Sequence, residues 1–410
     1  MGGKVTCFRI QKRSNLKTTA NGGFSLPIKA QRHGEYPNFL RLLATLTVSS
    51  NLRSTILVTL ILILSFTFTG FLSSAYKNQK ESRGRAHYDL GQAALRAGDL
   101  QQAIEEYRKA LLFLPDDSDY GLSLAIALVD SGRLDEAESH LQELLEGNPT
   151  NGVINLMLAR VAAKRKETNQ AIDYYQRAVY GYWPQSNISA RRAARWELVS
   201  LLQKQDRRNE LVGELMQLYA NAPDEPNEKS KIGFMLLQYG ATSNAVEVFR
   251  DLARDHPKYV EAHHGLGEAY FDSGDYLAAR REVQQAIHLD PRDKENVQLL
   301  ALANAVIGID PALPRLSTAD RLARSHALLE RVLRDLSECV LANGGKLAPP
   351  LQQRIDGANV LLASKAKGAE DYLFQLQDTA QQLWKDKKDF CGNISKPDRA
   401  LDVVLTRLGQ

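Results

Sequence analysis

The sequence predicts an all-α protein: a right-handed α-solenoid of about six helix-turn-helix repeats with a C-terminal helical cap, preceded by one transmembrane helix. Three observations carry this. Pro115, Pro149, Pro184, Pro223, Pro257 and Pro291 recur at steps of 34, 35, 39, 34 and 34 residues. A fixed period of that length marks stacked copies of a unit that cannot bury its apolar face alone. A second phase, Ala103, Ala137, Ala171, Leu211, Ala245 and Ala279, keeps nearly the same beat at 34, 34, 40, 34 and 34. Finally, 23 uncharged residues lie between Arg53 and Lys77, and about 20 are enough to cross the hydrocarbon core of a bilayer.

Residues 1–53 are read as a basic, disordered cytoplasmic tail. Up to residue 54 the chain holds nine Lys or Arg (Lys4, Arg9, Lys12, Arg13, Lys17, Lys29, Arg32, Arg41 and Arg53) against Glu35 alone, which is +8. The whole chain is +4, so the remainder is −4. Residues 54–76 form the transmembrane helix, with a strongly apolar run at 56–64 and Phe66, Phe68, Phe71 and Tyr76 toward the far interface. The more basic flank stays in the cytoplasm, which places the repeats outside it; Lys77, Lys80, Arg83 and Arg85 on the other flank are fewer. Ser73-Ser74-Ala75 also fits a signal-cleavage site. The long basic lead favours a retained anchor, and both readings stay open.

The repeat is clearest from Gly84 to Asp117. Gly91 and Ala103 are small, so two antiparallel helices can approach closely. Gly98 permits the turn between them, Tyr107 fills the gap to the next unit, and Pro115 ends the second helix for want of an N–H. Gly267, Tyr270, Gly274, Asp275, Ala279, Ala286 and Pro291 repeat the phase in the sixth copy. The fourth copy is the weakest, with Leu211, Leu215 and Leu218 where small or aromatic residues are expected. This pattern resembles the tetratricopeptide repeat over roughly residues 84–306, with three copies in 84–185 and three plus a lone seventh first helix in 192–306. The one long step falls around Gly181 to Ala190, beside Tyr180, Tyr182, Trp183 and Pro184. It predicts a kinked or loosened junction where the groove changes direction.

The resemblance implies function through a surface. In tetratricopeptide proteins the first helix of each unit lines a groove that holds a peptide. Carried over residue by residue, the groove positions are Tyr88, Gln92, Leu122, Ile126, Leu156, Met157, Arg160, Trp196, Phe234, Leu237, His264, Glu268 and Phe271. Family members that clamp acidic chaperone tails present Lys and Asn at fixed groove positions. Here Tyr88, Gln92, Val153 and Met157 stand there, so that use is not expected. The implied partner is a protein or peptide, with a homo-oligomer left open and no nucleic acid. Bacterial inner-membrane proteins of similar layout face the periplasm and assist envelope assembly or secretion. The alternative is a structural or oligomerisation module whose groove is filled by its own C-terminal helices.

After Pro314 the period is lost, and 315–410 reads as a helical cap. Ser317 with Asp320 can cap a helix carrying Leu322, Leu329, Val332, Leu333, Leu336 and Val340 on one face, ended by Gly344-Gly345. Further helices are expected over 350–365, 369–388 and 397–408. Cys339 and Cys391 fall on the extracytoplasmic side, where oxidising conditions permit a disulfide; two separate buried thiols are the other reading. No phosphate loop, HExxH or GxSxG motif is present, so no enzyme, catalytic residue or cofactor is expected. No metal is expected either: there is no CxxC, and His263 and His264, adjacent on a helix, point apart. Asn187-Ile188-Ser189 and Asn393-Ile394-Ser395 match the glycosylation acceptor pattern.

Overall fold

The computed structural model describes residues 50–342, 344–346, 348–364, 369–392 and 398–409. The expected tail up to residue 49, with Cys7, and the Asn393-Ile394-Ser395 triplet lie outside them. Among the described residues the regular elements are helices, with one isolated parallel bridge between Asn151 and Tyr182. The chain divides after Asn78 into two units.

The first unit holds the start of α1 (Ser50–Ala97). Its large apolar side chains from Ile56 to Tyr76 are 48% to 80% exposed. Several of its hydroxyls bond within the helix: Thr59 donates to the Ile56 carbonyl at 2.9 Å, Ser65 to that of Leu62 at 2.9 Å and Thr67 to that of Leu64 at 3.0 Å. Bonds of this kind satisfy those hydroxyls without water. It is long and apolar enough to cross a membrane.

The second unit begins at Gln79 and stacks helix pairs. The end of α1 pairs with α2 (Leu100–Phe113), α3 (Ser118–Asp130) with α4 (Leu134–Gly147), and α5 (Gly152–Lys164) with α6 (Thr168–Tyr180). After a short 3₁₀ turn at Gln185–Asn187, α7 (Ile188–Lys204) pairs with α8 (Arg208–Ala220), α9 (Pro226–Gln238) with α10 (Thr242–Asp255), and α11 (Val260–Asp272) with α12 (Tyr276–Leu289). Each turn inside a pair uses one device. A residue one or two positions past the first helix takes a positive φ: Gly98, Gly132, Lys166, Asp206, Gly240 and Gly274. The next N–H reaches back to a carbonyl five residues earlier, as from Asp99 to Ala94 at 3.0 Å and from Arg207 to Leu202 at 3.1 Å. This Schellman closure satisfies carbonyls that the helix end would orphan. Repeats three and four hold it without glycine.

Packing between pairs follows the small and large phases. Ala103, Ala137, Ala171, Leu211, Ala245 and Ala279 have no exposed surface, so the weak fourth repeat packs as the others do. Tyr107, Leu141, Tyr175, Leu215, Phe249 and Val283 are the large fillers, all buried. One core runs unbroken from Ala94 to Ala269, through Val179, Trp183 and Ala194. The expectation of a loosened junction is therefore corrected. Trp183 is buried and donates its indole N–H to the Ala178 carbonyl at 2.7 Å, while Tyr182 and Gly152 exchange backbone bonds with Thr150 and Tyr182 at 2.7 and 2.9 Å. The extra residues are a packed insert.

A second core spans Tyr276 to Leu405. It is built by α13 (Lys294–Ile309), α14 (Thr318–Ala342), α15 (Pro349–Ala363), α16 (Ala369–Cys391) and α17 (Arg399–Leu408). Ser317 and Asp320 cap α14 reciprocally, at 2.6 and 3.1 Å. Cys339 and Cys391 are joined as a disulfide, Cα atoms 6.2 Å apart. The lone seventh first helix, α13, does find a partner: α17 packs against it. Arg407 of α17 binds the fully buried Asp310 carboxylate, donates to the Gly274 carbonyl at 3.3 Å and lies over the Tyr276 ring at 5.1 Å.

Candidate peptide-binding groove

The first helices α3, α5, α7, α9 and α11 present successive turns on one face because the repeat returns each position every 34 or 40 residues. Of the residues expected to line a groove, all stand half-buried on these helices or on the end of α1, with two exceptions. Leu156 and Met157 are each only 4% exposed and belong to the core. Helix α5 packs against α3, α4 and α6, and these two side chains are enclosed among them. Phe271 is a partial exception: it packs edge-on to Tyr276 at 5.1 Å and against the C-terminal core.

At the first repeat Tyr88 stacks on Tyr120 at 4.6 Å, and its hydroxyl accepts from Ser123 at 3.3 Å. Beside it the buried Tyr107 hydroxyl has no partner, and burial pushes its pKa up to about 12. Gln92, Leu122 and Ile126 are half-buried.

In the middle, Arg160 donates through Nε and Nη2 to Glu197 at 3.1 and 2.6 Å, and Tyr175 donates to the same carboxylate at 2.8 Å. Burial holds the Tyr175 phenol neutral, with Glu197 adding to the effect, and Glu197 raises the pKa of Arg160. Next to this network a cleft of about 410 Å³ opens between α5, α6 and α7, lined by Tyr175, Trp196, Glu197 and Lys204. A second, of about 480 Å³, opens between α9, α11 and α13, lined by Phe234, Val260, Glu261, His264, Glu268 and Glu295. Leu237 packs half-buried on the solenoid core beside it. A further cleft, of about 980 Å³, lies elsewhere: it sits between α2, α3 and α4 around Leu111, Leu112 and Leu144 and shares only Leu122 with the expected groove residues.

One set of side chains escaped the sequence reading. His87, Asn155, Arg195 and His263 occupy a single repeat position near the start of the first helix. Three of them bind a glutamate 19 residues on, in the second helix: His87 to Glu106 at 2.7 Å, Arg195 to Glu214 at 3.0 Å and His263 to Glu282 at 2.9 Å. Asn155 and His263 also reach the carbonyl of Pro149 and Pro257, each at 3.1 Å. Both His263 ring nitrogens thus face acceptors, which suits the imidazolium, and the Glu282 hydrogen bond raises its pKa. These buried or part-buried links pin the two helices of a repeat together. The constant 19-residue base-to-acid spacing was the signal that could have found them.

With this geometry in view, models of the tetratricopeptide repeat match residues 84–117, 128–180 and 236–303. The chain carries tetratricopeptide repeats. Anaphase-promoting complex subunit 3 of Schizosaccharomyces pombe is 26% identical over 151 residues, 37% of this chain and 22% of that protein's length. Among solved structures, YrrB, described as a tetratricopeptide protein with an unusual peptide-binding site, is 16% identical with a TM-score of 0.35, covering 48% of this chain and 98% of its own. PilF of Pseudomonas aeruginosa is 15% identical with a TM-score of 0.35, covering 54% and 99%. Among the described residues no group of three or more His, Cys, Asp or Glu is placed to hold a metal ion.

Proposed function

We propose that the chain is a membrane-anchored scaffold that binds a protein or peptide along the first-helix face of its tetratricopeptide repeats. The supporting observation is that, among the described residues, none beyond Glu295 lines either cleft. The chain's own C-terminal helices leave both accessible, and Phe234 and Leu237 pack on the solenoid alone. The structural alternative draws on Phe271, which the C-terminal core does cover, and this favours a capping role at that end only.

The apolar part of α1 supports the anchor, and the excess of Lys and Arg before it supports a cytoplasmic N-terminal side. A disulfide at Cys339–Cys391 fits an oxidising compartment for the repeats, such as the periplasm. Envelope assembly or secretion is the process this layout suits. A photoreactive residue at position 234, in the full chain in its membrane, tests the groove. Capture of a second protein is expected, and capture of only the chain's own residues beyond Leu316 removes the reading. A reporter active only outside the cytoplasm, fused after Gln410, should be active; silence reverses the orientation.

A further inference from the structure

The two clefts treat their carboxylates differently. Around Trp196 they are already matched: Glu197 is held by Arg160 and Tyr175, and Glu228 accepts the Trp196 indole N–H at 3.0 Å, with Lys231 over the ring at 4.4 Å. Around Phe234, Asp290 and Asp293 are engaged by the backbone N–H groups of Arg292 and Glu295 and by Asn296, but three glutamates are not matched. Glu261, Glu268 and Glu295 line that cleft, and none of the three pairs with a lysine or arginine among the described residues. The imidazole of His264 is the single basic group in the lining. Its Nδ1 is engaged by Asn296 at 2.8 Å, and Nε2 stands 3.5 Å from Glu268. Phe234 forms an aromatic wall, held edge-on to Phe249 at 4.9 Å.

We propose that this cleft selects a basic side chain of the bound peptide, a lysine or arginine whose methylene stem lies on Phe234 and whose cationic head sits among Glu261, Glu268 and Glu295. The inference rests on the groove reading above and names the chemistry of its partner. A long basic side chain meets both demands of the cleft: the stem covers apolar surface while the head stays polar, and the head donates charge-assisted bonds to the carboxylates. Burial raises the Glu268 pKa, and His264 offsets this only in part; a cation from the partner completes the compensation. The groove is thereby polarised, with its free acidic end at α11 and α13 and its matched, lysine-bearing part at α7 and α9, which fixes the direction of a bound peptide.

Short random peptides displayed on phage, panned against the full chain, test this. Peptides whose selection is lost in a Phe234→Ala chain should be enriched in Lys or Arg, and individual members should bind about tenfold more weakly to an E261Q/E268Q/E295Q chain. An E261K/E268K chain should instead enrich acidic peptides. Phe234-dependent peptides without basic enrichment, or with equal affinity for the triple glutamine chain, overturn the inference and leave the groove reading standing. Absence of any Phe234-dependent peptide overturns both.

Discussion

The ring of Phe249 sets up a test in which the sign of an effect decides. It is fully buried between two successive first helices, and both meet it with glycine. A Cβ at Gly265 would stand 2.3 Å from two ring carbons, and one at Gly233 would stand 2.5 Å from the ring on its other side. An ordinary contact is about 3.5 to 4 Å, so Gly265→Ala forces the ring to move by more than about 1 Å, toward a backbone that leaves no room. Overpacking of this kind costs about 1 to 3 kcal/mol. In an open helix the same change gains about 0.5 to 1 kcal/mol. With the overpacking in the upper part of that range, about 2 to 3 kcal/mol, and the helix gain of about 0.5 to 1 kcal/mol subtracted, we expect Gly265→Ala to destabilise by about 1 to 2.5 kcal/mol net. Phe249→Leu alone should cost about 1 to 1.5 kcal/mol, and in that background Gly265→Ala should be neutral or stabilising. Urea unfolding of the full chain by circular dichroism gives the four corners of the cycle, and hydrogen exchange should place the loss in α9 to α11. A stabilising Gly265→Ala, or additivity within about 0.5 kcal/mol, refutes the sandwich as the coupling between repeats five and six.

Three further outcomes are expected. His263 has a raised pKa in the fold, so its pairing with Glu282 contributes fully below the unfolded value of about 6.5 and is lost as pH rises through the folded value. The urea midpoint should fall across that window, and His263→Asn, which copies Asn155, should flatten the fall. At the turns, Lys166→Gly and Asp206→Gly relieve about 1 to 2 kcal/mol of left-handed strain against about 0.5 to 1 kcal/mol of added chain entropy. Each should therefore raise the thermal midpoint, whereas Gly132→Ala should lower it. The Cys339–Cys391 bridge spans 52 residues, so Cys339→Ser with Cys391→Ser should cost the C-terminal domain about 4 kcal/mol by the loop-entropy relation, read by unfolding with and without reductant.

Period and punctuation made the solenoid readable in the sequence, because Pro115 and Gly98 act locally and return on schedule. What escaped notice had non-local causes. Lys166 and Asp206 adopt the glycine conformation because the flanking helices impose it, and their side chains give no sign of it. Helical spacing put Leu156 and Met157 among the expected groove positions, but spacing alone does not say which side chains the neighbouring helices enclose, and both are buried in the core. The link from His87 to Glu106 recurs with different bases, so a search by residue type misses what a search by charge at fixed separation finds. Asp310 and Arg407 stand 97 residues apart, beyond any local pattern. Phe234 was reached from the repeat phase, whereas the unmatched state of Glu261 and Glu295 beside it depends on which cations reach them.

The docking of α17 on α13 also sets an order of events in time. Contacts between neighbouring repeats join residues fewer than about 40 positions apart, and such pieces can form as the chain emerges. The Arg407 to Asp310 pair closes a separation of 97 residues. At about 5 to 20 residues per second of synthesis, α13 waits roughly 5 to 20 seconds with its apolar face open. The newborn solenoid therefore has a sticky end for that interval, and any factor that shields it during synthesis acts before α17 arrives.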